Sequence, residues 1–429
     1  MGLTPIVVML VLFVLNAPIA LAIAIAALSF FLMAGGLPID TFTQKIAAST
    51  ESFPLLAVPF FIFAGTIMNH AGITRRLLGF ADALVGHTAG GLAQANVVLS
   101  ALMGGLSASA NADAAMQAKM LGTEMTRRGY SPGFSAAVCA CSSVITPIIP
   151  PGIGLILYGF LADVSVGRLF IAGIVPGILI TLLLMAVVRI LAVRRRYRPT
   201  RQRRAAPREL GKSFVDALGA LSIIAFILIG IRQGFFTPTE AGAMTVVYAT
   251  LIGFFWYREL RLDAFPAIII ETVLATAVVM LVICAAGAFG FYMTWEQIPA
   301  KGAELLLNVT NNPLMMLLLI NILLLLIGMV IEGTAALILL TPILVPAVTE
   351  LGIDPLHFGI VMIVNLTIGG VTPPVGTLMF TTCSVLRVGM GSFIREAWPF
   401  VAALWLALLL ITVIPSIVTY LPDLLMGSA

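Results

Sequence analysis

The sequence predicts an all-α polytopic membrane protein made of two inverted repeats, each with a re-entrant helical hairpin and a proline-broken helix. Three observations predict it. Of 429 residues, 60% are apolar and 10% charged, against about 25% charged in a soluble domain, so a bilayer must cover the surface. The apolar residues form long continuous runs, not the short alternating segments of a transmembrane barrel. A small-polar cluster followed by a double proline occurs once on each side of a central arginine-rich segment. A soluble enzyme with one anchor is excluded, and spans of about 20 residues allow a ceiling of about a dozen crossings.

Charges mark the span boundaries. Residues 1–39, 129–162, 169–188, 272–295, 305–331, 355–386 and 398–422 contain no Asp, Glu, Lys or Arg. The first run would reach about 58 Å as one helix, against a hydrocarbon core of about 30 Å. It is therefore expected to break at Asn16-Ala17-Pro18 into segments at 4–15 and 17–33. If 4–33 formed one tilted helix instead, the amino terminus would lie inside. The start, MGLTPIVVML, has no basic region before its apolar stretch, so this segment is expected to stay in the membrane.

The first repeat, 1–193, continues with a span at 54–70, a hairpin at about 90–125, a broken helix at about 134–161 and a span at 168–192. A linker at 194–213 follows. The second repeat, 214–429, has spans at 214–232, 239–257 and 265–294, a hairpin at about 313–350, a broken helix at about 355–384 and a span at 392–420. The orders match. With five spans leaving each end of one linker, the halves have opposite orientation and both termini lie outside.

The linker holds eight arginines, at 194, 195, 196, 198, 201, 203, 204 and 208, which puts it in the cytoplasm. Such a patch can also bind anionic lipid or nucleic acid, but topology alone accounts for it and no nucleic-acid partner is expected. Gly211-Lys212-Ser213 resembles the end of a phosphate-binding loop, yet Ala206 stands where a glycine is required and no strand precedes it. No nucleotide cofactor is expected. Cys139, Cys141, Cys284 and Cys383 lie in apolar runs and read as packing residues. His70, His87 and His357 sit at span ends and read as interfacial. Trp256, Tyr257, Trp295, Trp398 and Tyr420 fit interfacial belts. Thr237 or Thr239 caps a helix whose first turn holds Glu240.

The paired motifs carry the functional signal. One half has Gly104-Gly105-Leu106-Ser107-Ala108-Ser109-Ala110-Asn111-Ala112-Asp113 and then Thr146-Pro147-Ile148-Ile149-Pro150-Pro151-Gly152. The other has Gly328-Met329-Val330-Ile331-Glu332-Gly333-Thr334-Ala335 and then Asn365 through Gly376, NLTIGGVTPPVG. Prolines inside apolar runs remove backbone donors and break helices. Irregular backbone at membrane depth is tolerated where protein buries it or where it lines a polar cavity. Such interruptions at corresponding places of two halves point to a substrate and cation site near the midplane. Arg75, Arg76, Arg127 and Arg128 flank the first hairpin, so it opens to the cytoplasm, and chain parity puts the second on the opposite side.

ASANADAA, SSVITPIIPPGI, TPTEAGA, the basic linker and NLTIGGVTPPVG together resemble the large membrane subunit of tripartite ATP-independent periplasmic (TRAP) transporters, in the ion-transporter superfamily. The likeness covers essentially the whole chain. It implies an elevator-type secondary transporter in the bacterial inner membrane, coupled to Na+ at two or more sites. A small membrane (Q-type) subunit and a periplasmic substrate-binding protein delivering a small organic anion are the implied partners. Ala108, Thr146 and Gly152 depart from the residues expected around the first ion site.

On this reading Ser107, Ser109, Asn111 and the carbonyls near Thr146 and Pro147 hold one sodium. Gly328, Gly333, Thr334, Asn365, Thr367 and the carbonyls near Gly370 and Thr372 hold the other. Hydroxyl, amide and carbonyl oxygens suit a hard cation. Substrate would meet Ser142, Ser143, Thr341, Thr372 and the breaks at Pro150-Pro151 and Pro373-Pro374, with helix starts facing the anion. No catalytic residue is expected. Asp113 reads as a cap after the first hairpin tip and Glu332 as a partner for free amides of the second, with proton coupling through them as the rival reading. A stand-alone proton- or sodium-coupled dicarboxylate carrier and a channel or structural subunit are the other function classes.

Overall fold

The computed structural model describes residues 2–15, 17–34, 37–104 and 109–427. Asn16 and Ser107 lie outside the described residues, as do Gly105, Leu106 and Ala108. Among those described, the regular elements are all helical.

The first half comprises α1 (Thr4–Val14), α2 (Ile19–Met33), α3 (Asp40–Ala48), α4 (Ala57–His70), α5 (Ile73–Val85), α6 (Gly91–Met103), α7 (Ala110–Gln117), α8 (Thr123–Arg127), α9 (Pro132–Ser142), α10 (Ile153–Leu161) and α11 (Val166–Arg194). The second comprises α12 (Pro207–Arg232), α13 (Pro238–Leu251), α14 (Phe265–Trp295), α15 (Ile298–Leu307), α16 (Pro313–Gly328), α17 (Gly333–Glu350), α18 (Pro355–Gly369), α19 (Thr377–Leu386), α20 (Met390–Val413) and α21 (Ser416–Met426). Among the described residues six helical segments, including α11, α12, α14, α17 and α20, are long and apolar enough to cross a bilayer unaided. The broken helices are α9–α10 and α18–α19, interrupted at the double prolines.

Local chemistry sets many boundaries. Thr237 and Glu240 form a reciprocal capping box at the start of α13, with Pro238 in its first turn. Pro207 begins α12 and Glu209 sits in its first turn. The linker proper is therefore 195–206, shorter than 194–213, and Gly211-Lys212-Ser213 is helical. The final segment is not one span: the helix ends at Val413, and α21 begins beyond Pro415.

The amino-terminal run breaks where expected, giving α1 and α2 on either side of residues 15–18. At 1.5 Å per residue, α1 is about 16 Å long and α2 about 22 Å, both short of a hydrocarbon core of about 30 Å. The Tyr292 hydroxyl donates to the Gly2 carbonyl, and the Phe30 ring lies 5.1 Å from that of Tyr292. The start of α1 and the end of α2 thus meet the same end of α14. These helices form an antiparallel pair along α14, not one tilted helix.

The helices assemble into two bodies. In one, α4 packs on α13 and α14, α14 on α2 and α3, and α12 on α5. In the other, α9 packs on α20, α11 on α6, α20 and α21, and α18 on α16 and α17. Short arms, α5 and α15, lead from the first body into the hairpins α6–α8 and α16–α17. The pairings come in exchanged sets: α4 with α13 and α14 with α2; α10 with α17 and α19 with α7; α9 with α20 and α18 with α11. Bare backbone permits the tightest contacts. A Cβ on Gly173 of α11 would lie 2.1 Å from the Ile148 carbonyl oxygen, and one on Gly359 of α18 would lie 2.2 Å from the Tyr158 ring.

The linker is docked, not free. Tyr197 stacks 4.4 Å from Tyr130 and also meets Phe134. Arg195 pairs with Glu396 at 2.6 Å, and Arg201 pairs with Asp82 at 2.7 Å and with Glu209. Nearby, Glu259 accepts from Arg75 and Arg76. Burial draws its carboxyl upward, but the two guanidiniums outweigh that and hold it below the usual range. Replacing Tyr197 by alanine is expected to cost about 2 kcal/mol, from lost stacking and apolar burial. A drop of a few degrees in the detergent unfolding temperature is the measurable result.

Candidate ion and anion site between the hairpins

Both hairpin tips and both helix breaks converge on one cavity of about 60 Å³. Ser109 and Asn111 come from the first tip, and Glu332, Gly333 and Thr334 from the second. The first broken helix contributes Pro147, Ile153 and Gly154; the second contributes Thr367, Gly370 and Thr377. Of the residues expected to act, Ser109, Asn111, Pro147, Gly333, Thr334, Thr367 and Gly370 line this space.

Side chains beside the tips cap the helices that leave them. Ser109 is extended and accepts from the Ala112 amide at 3.5 Å, capping α7. Glu332 caps α17: it accepts from the Ala335 amide at 3.1 Å and from the Thr334 hydroxyl at 2.9 Å. Thr381 of α19 donates to Asn111 Oδ1 at 3.4 Å, joining the first tip to the second broken helix. The starts of α10 and α19 have no side-chain cap. At α19 the Leu378 and Met379 amides donate to the Gly370 carbonyl instead, and both helix starts bring the positive end of a helix dipole to the cavity.

Asp113 does not cap α7. It is 1% exposed, and its Oδ2 accepts from Thr146 Oγ1 and from Gln117 Nε2, each at 2.6 Å. Its other oxygen has no hydrogen-bond partner among the described residues. Thr146 is thus held by the hairpin, beside Pro147 at the cavity wall.

Other expected residues lie behind the wall. Ser142 bonds with Asn96 and Gln117. The hydroxyls of Ser143, Thr341 and Thr372 donate to the carbonyls of Ala140, Leu337 and Ile368 at 2.6–2.8 Å. Asn365 is fully buried and bonds with Asn321. Gly328 packs against Gly369, where backbone meets backbone. Pro150 and Pro151 are buried, Pro373 is half-buried and Pro374 is exposed. His357 is 2% exposed, with its ring bonded to the Ile411 carbonyl near the end of α20. Tyr257 is likewise buried and donates to the Asp216 carbonyl.

Sequence reading passed over Asn96, Ser100, Gln117 and Asn321, although an amide inside an apolar run was the available signal. It also passed over Thr377 and Ile153, whose place at the cavity depends on where each helix restarts. Among the described residues no three His, Cys, Asp or Glu side chains gather in one place. Hydroxyl, amide and carbonyl oxygens line this cavity together with the Glu332 carboxylate, and oxygen donors are those a hard cation takes. A larger cavity of about 340 Å³ between α14 and the pair α10 and α17 is mostly apolar, with Lys45 and Ser49 at its edge. It lies at the junction of the two bodies.

Residues 6–417 match the family described as "Tripartite ATP-independent periplasmic transporter, DctM component". The chain belongs to the DctM family. It is 38% identical to the sialic acid TRAP transporter large permease protein SiaM of Vibrio cholerae, over 96% of each chain. It is 40% identical to the C4-dicarboxylate TRAP transporter large permease protein DctM of Pseudomonas aeruginosa, over 88% of each. The fold is shared with the YdaH transporter of Alcanivorax borkumensis, at a TM-score of 0.64 and 16% identity, covering 96% of this chain and 98% of that one. This DctM-family chain is a TRAP large permease subunit of the bacterial inner membrane with several crossings, and not an enzyme.

Proposed function

We propose that this DctM-family chain imports a small organic anion, a carboxylate in the leading reading, driven by sodium and delivered by a periplasmic binding protein. The observation that carries the proposal is the convergence of both tips and both breaks on one cavity, whose wall includes Ser109, Asn111, Thr334, Thr367 and Thr377. Names of relatives, which include sialic acid and C4-dicarboxylate permeases, support an organic anion as the class.

In this reading sodium is a co-transported substrate. One ion takes oxygens from Ser109, Asn111 and the backbone at Thr146 and Pro147. The other takes them from Thr334, Thr367 and the backbone at Gly333 and Gly370, with Gly328, Asn365 and Thr372 supporting from behind the wall. The anion lies between them, at the starts of α10 and α19, neither of which has a side-chain cap. A drug-sized ligand needs about 300 Å³ or more, and the cavity here is about 60 Å³, so the hairpins must part to admit it. Glu332 is satisfied by its own helix start, which keeps its carboxylate engaged while the anion uses the other two helix ends.

The exchanged helix pairings support inverted repeats. The arms α5 and α15 support an elevator, in which the hairpin body slides against the α4–α13–α14 scaffold. Only 11% of the most apolar 18-residue stretch around α14 is buried, and Leu274 and Val278 are 64% and 67% exposed. That face is assigned to the small membrane subunit. Val278→Trp is expected to cut co-purification of the small subunit at least fivefold while the chain still elutes as a single species. Unchanged co-purification would move the interface elsewhere.

The function is tested in proteoliposomes holding this chain and its small subunit. Uptake is expected with an inward sodium gradient and loaded binding protein, and is expected to vanish when either is withdrawn. Uptake from free substrate alone would instead identify a stand-alone carrier.

A further inference from the structure

Two buried polar pairs occupy matching places in the two halves. Asn96 on α6 and Asn321 on α16 each lie on the entering arm of a hairpin. Ser142 ends α9, and Asn365 lies a turn before the end of α18, so both belong to the first part of a broken helix. Asn96 Nδ2 donates to Ser142 Oγ at 2.8 Å, and Asn365 Nδ2 donates to Asn321 Oδ1 at 2.8 Å. Asn96, Ser142 and Asn365 are fully buried and Asn321 is 8% exposed. None of the four lines the cavity.

Each pair is the root of a longer chain of bonds. Ser142 donates to Gln117 Oε1 at 3.0 Å, and Gln117 Nε2 reaches both Ser100 Oγ at 2.7 Å and Asp113 Oδ2. Asp113 then holds Thr146, whose neighbour Pro147 forms cavity wall. In the other half, Asn321 Nδ2 donates to Thr412 Oγ1 at 2.8 Å, fastening the pair to α20. Asn365 is five residues before Gly370, at the wall. Amides are costly at membrane depth unless paired, and apolar side chains would pack these helix faces at less cost.

We propose that Asn96 and Asn321 are positioning residues for the two cation sites. Each locks the first part of a broken helix to the entering arm of its hairpin. The carbonyls that follow, at Thr146–Pro147 and at Gly370, then keep the spacing a cation requires while the hairpin tip opens and closes. This rests on the sodium coupling proposed above and extends it to residues that touch no ligand.

The test is a sodium titration of uptake for Asn96→Leu and Asn321→Leu, with unfolding temperature measured alongside. Half-saturating sodium is expected to rise about tenfold, the shift produced by losing one well-made buried hydrogen bond. Maximal uptake stays within about twofold. The double variant N96L/S142A is expected to fall short of the product of the two single effects, because both changes remove the Asn96–Ser142 bond, although S142A also removes the bond to Gln117. If N96L fails to fold, Asn96→Ser, too short to reach Ser142, carries the same expectation. Unchanged half-saturation in folded variants would overturn the proposal, as would multiplied effects in the double variant. A joint fall in maximal uptake and unfolding temperature at constant half-saturation would also overturn it, revealing a purely structural role. Absence of sodium dependence in the unsubstituted chain is a separate result that overturns the coupling itself.

Discussion

Replacing Gly369 by alanine is expected to abolish uptake and to lower the unfolding temperature by a few degrees. A Cβ built on Gly369 would lie 2.5 Å from the carbonyl carbon and 2.6 Å from the Cα of Gly328. Those atoms are backbone, so no rotamer change relieves the clash, and α16 must move away from α18. Overpacking of this kind costs about 1–3 kcal/mol. The functional loss is larger than the stability loss because Gly370, the next residue, is cavity wall and Glu332 caps the helix that follows α16. The control is Gly391→Ala in α20, where an added Cβ meets nothing within 4 Å. That change is expected to leave uptake unaltered and to stabilise slightly through helix propensity.

Asp113→Leu is expected to destabilise the chain by roughly 3 kcal/mol and to reduce uptake at least a hundredfold. The carboxylate oxygen Oδ2 accepts two bonds, from Thr146 and Gln117. Leucine would leave a buried hydroxyl and a buried amide hydrogen unpaired, at about 1–3 kcal/mol each. Thr146 would then be released from the hairpin and Pro147 with it. Asp113→Asn separates geometry from charge. An asparagine Oδ1 can accept both bonds, and its amide takes the place of an oxygen that now has no partner. D113N is therefore expected to unfold at or above the temperature of the unsubstituted chain. Equal destabilisation by D113N and D113L would show that this hydrogen-bond geometry is not what holds the hairpin.

The parts legible in the sequence were those whose physics is local. A missing proline donor interrupts a helix wherever the chain later goes, so breaks expected within 134–161 and 355–384 are found between Ser142 and Ile153 and between Gly369 and Thr377. The capping box at Thr237 and Glu240 was readable for the same reason. Both hairpins were readable from the small-polar clusters between modest apolar segments.

What escaped was set by pairing across the chain. The placement of α1 and α2 depends on their packing along α14, and neither sequence alone shows which end of α14 they meet. Ser142 and Thr341 looked like free donors because a hydroxyl in an apolar run does not display its partner. The structure gives Ser142 to Asn96 and Gln117, and Thr341 to its own helix. Asp113 looked like a cap because caps are local, but Ser109 takes that task and frees Asp113 to reach Thr146.

The most direct test of the central claim is a cryo-EM map of the chain with its small subunit in saturating sodium and substrate. Organic-anion density is predicted at the starts of α10 and α19, within hydrogen-bond reach of Thr377 and between Asn111 and Thr334. Two compact cation densities should flank it, one at each hairpin tip. Anion density in the apolar cavity between α14 and α10, with nothing between the tips, would contradict the account.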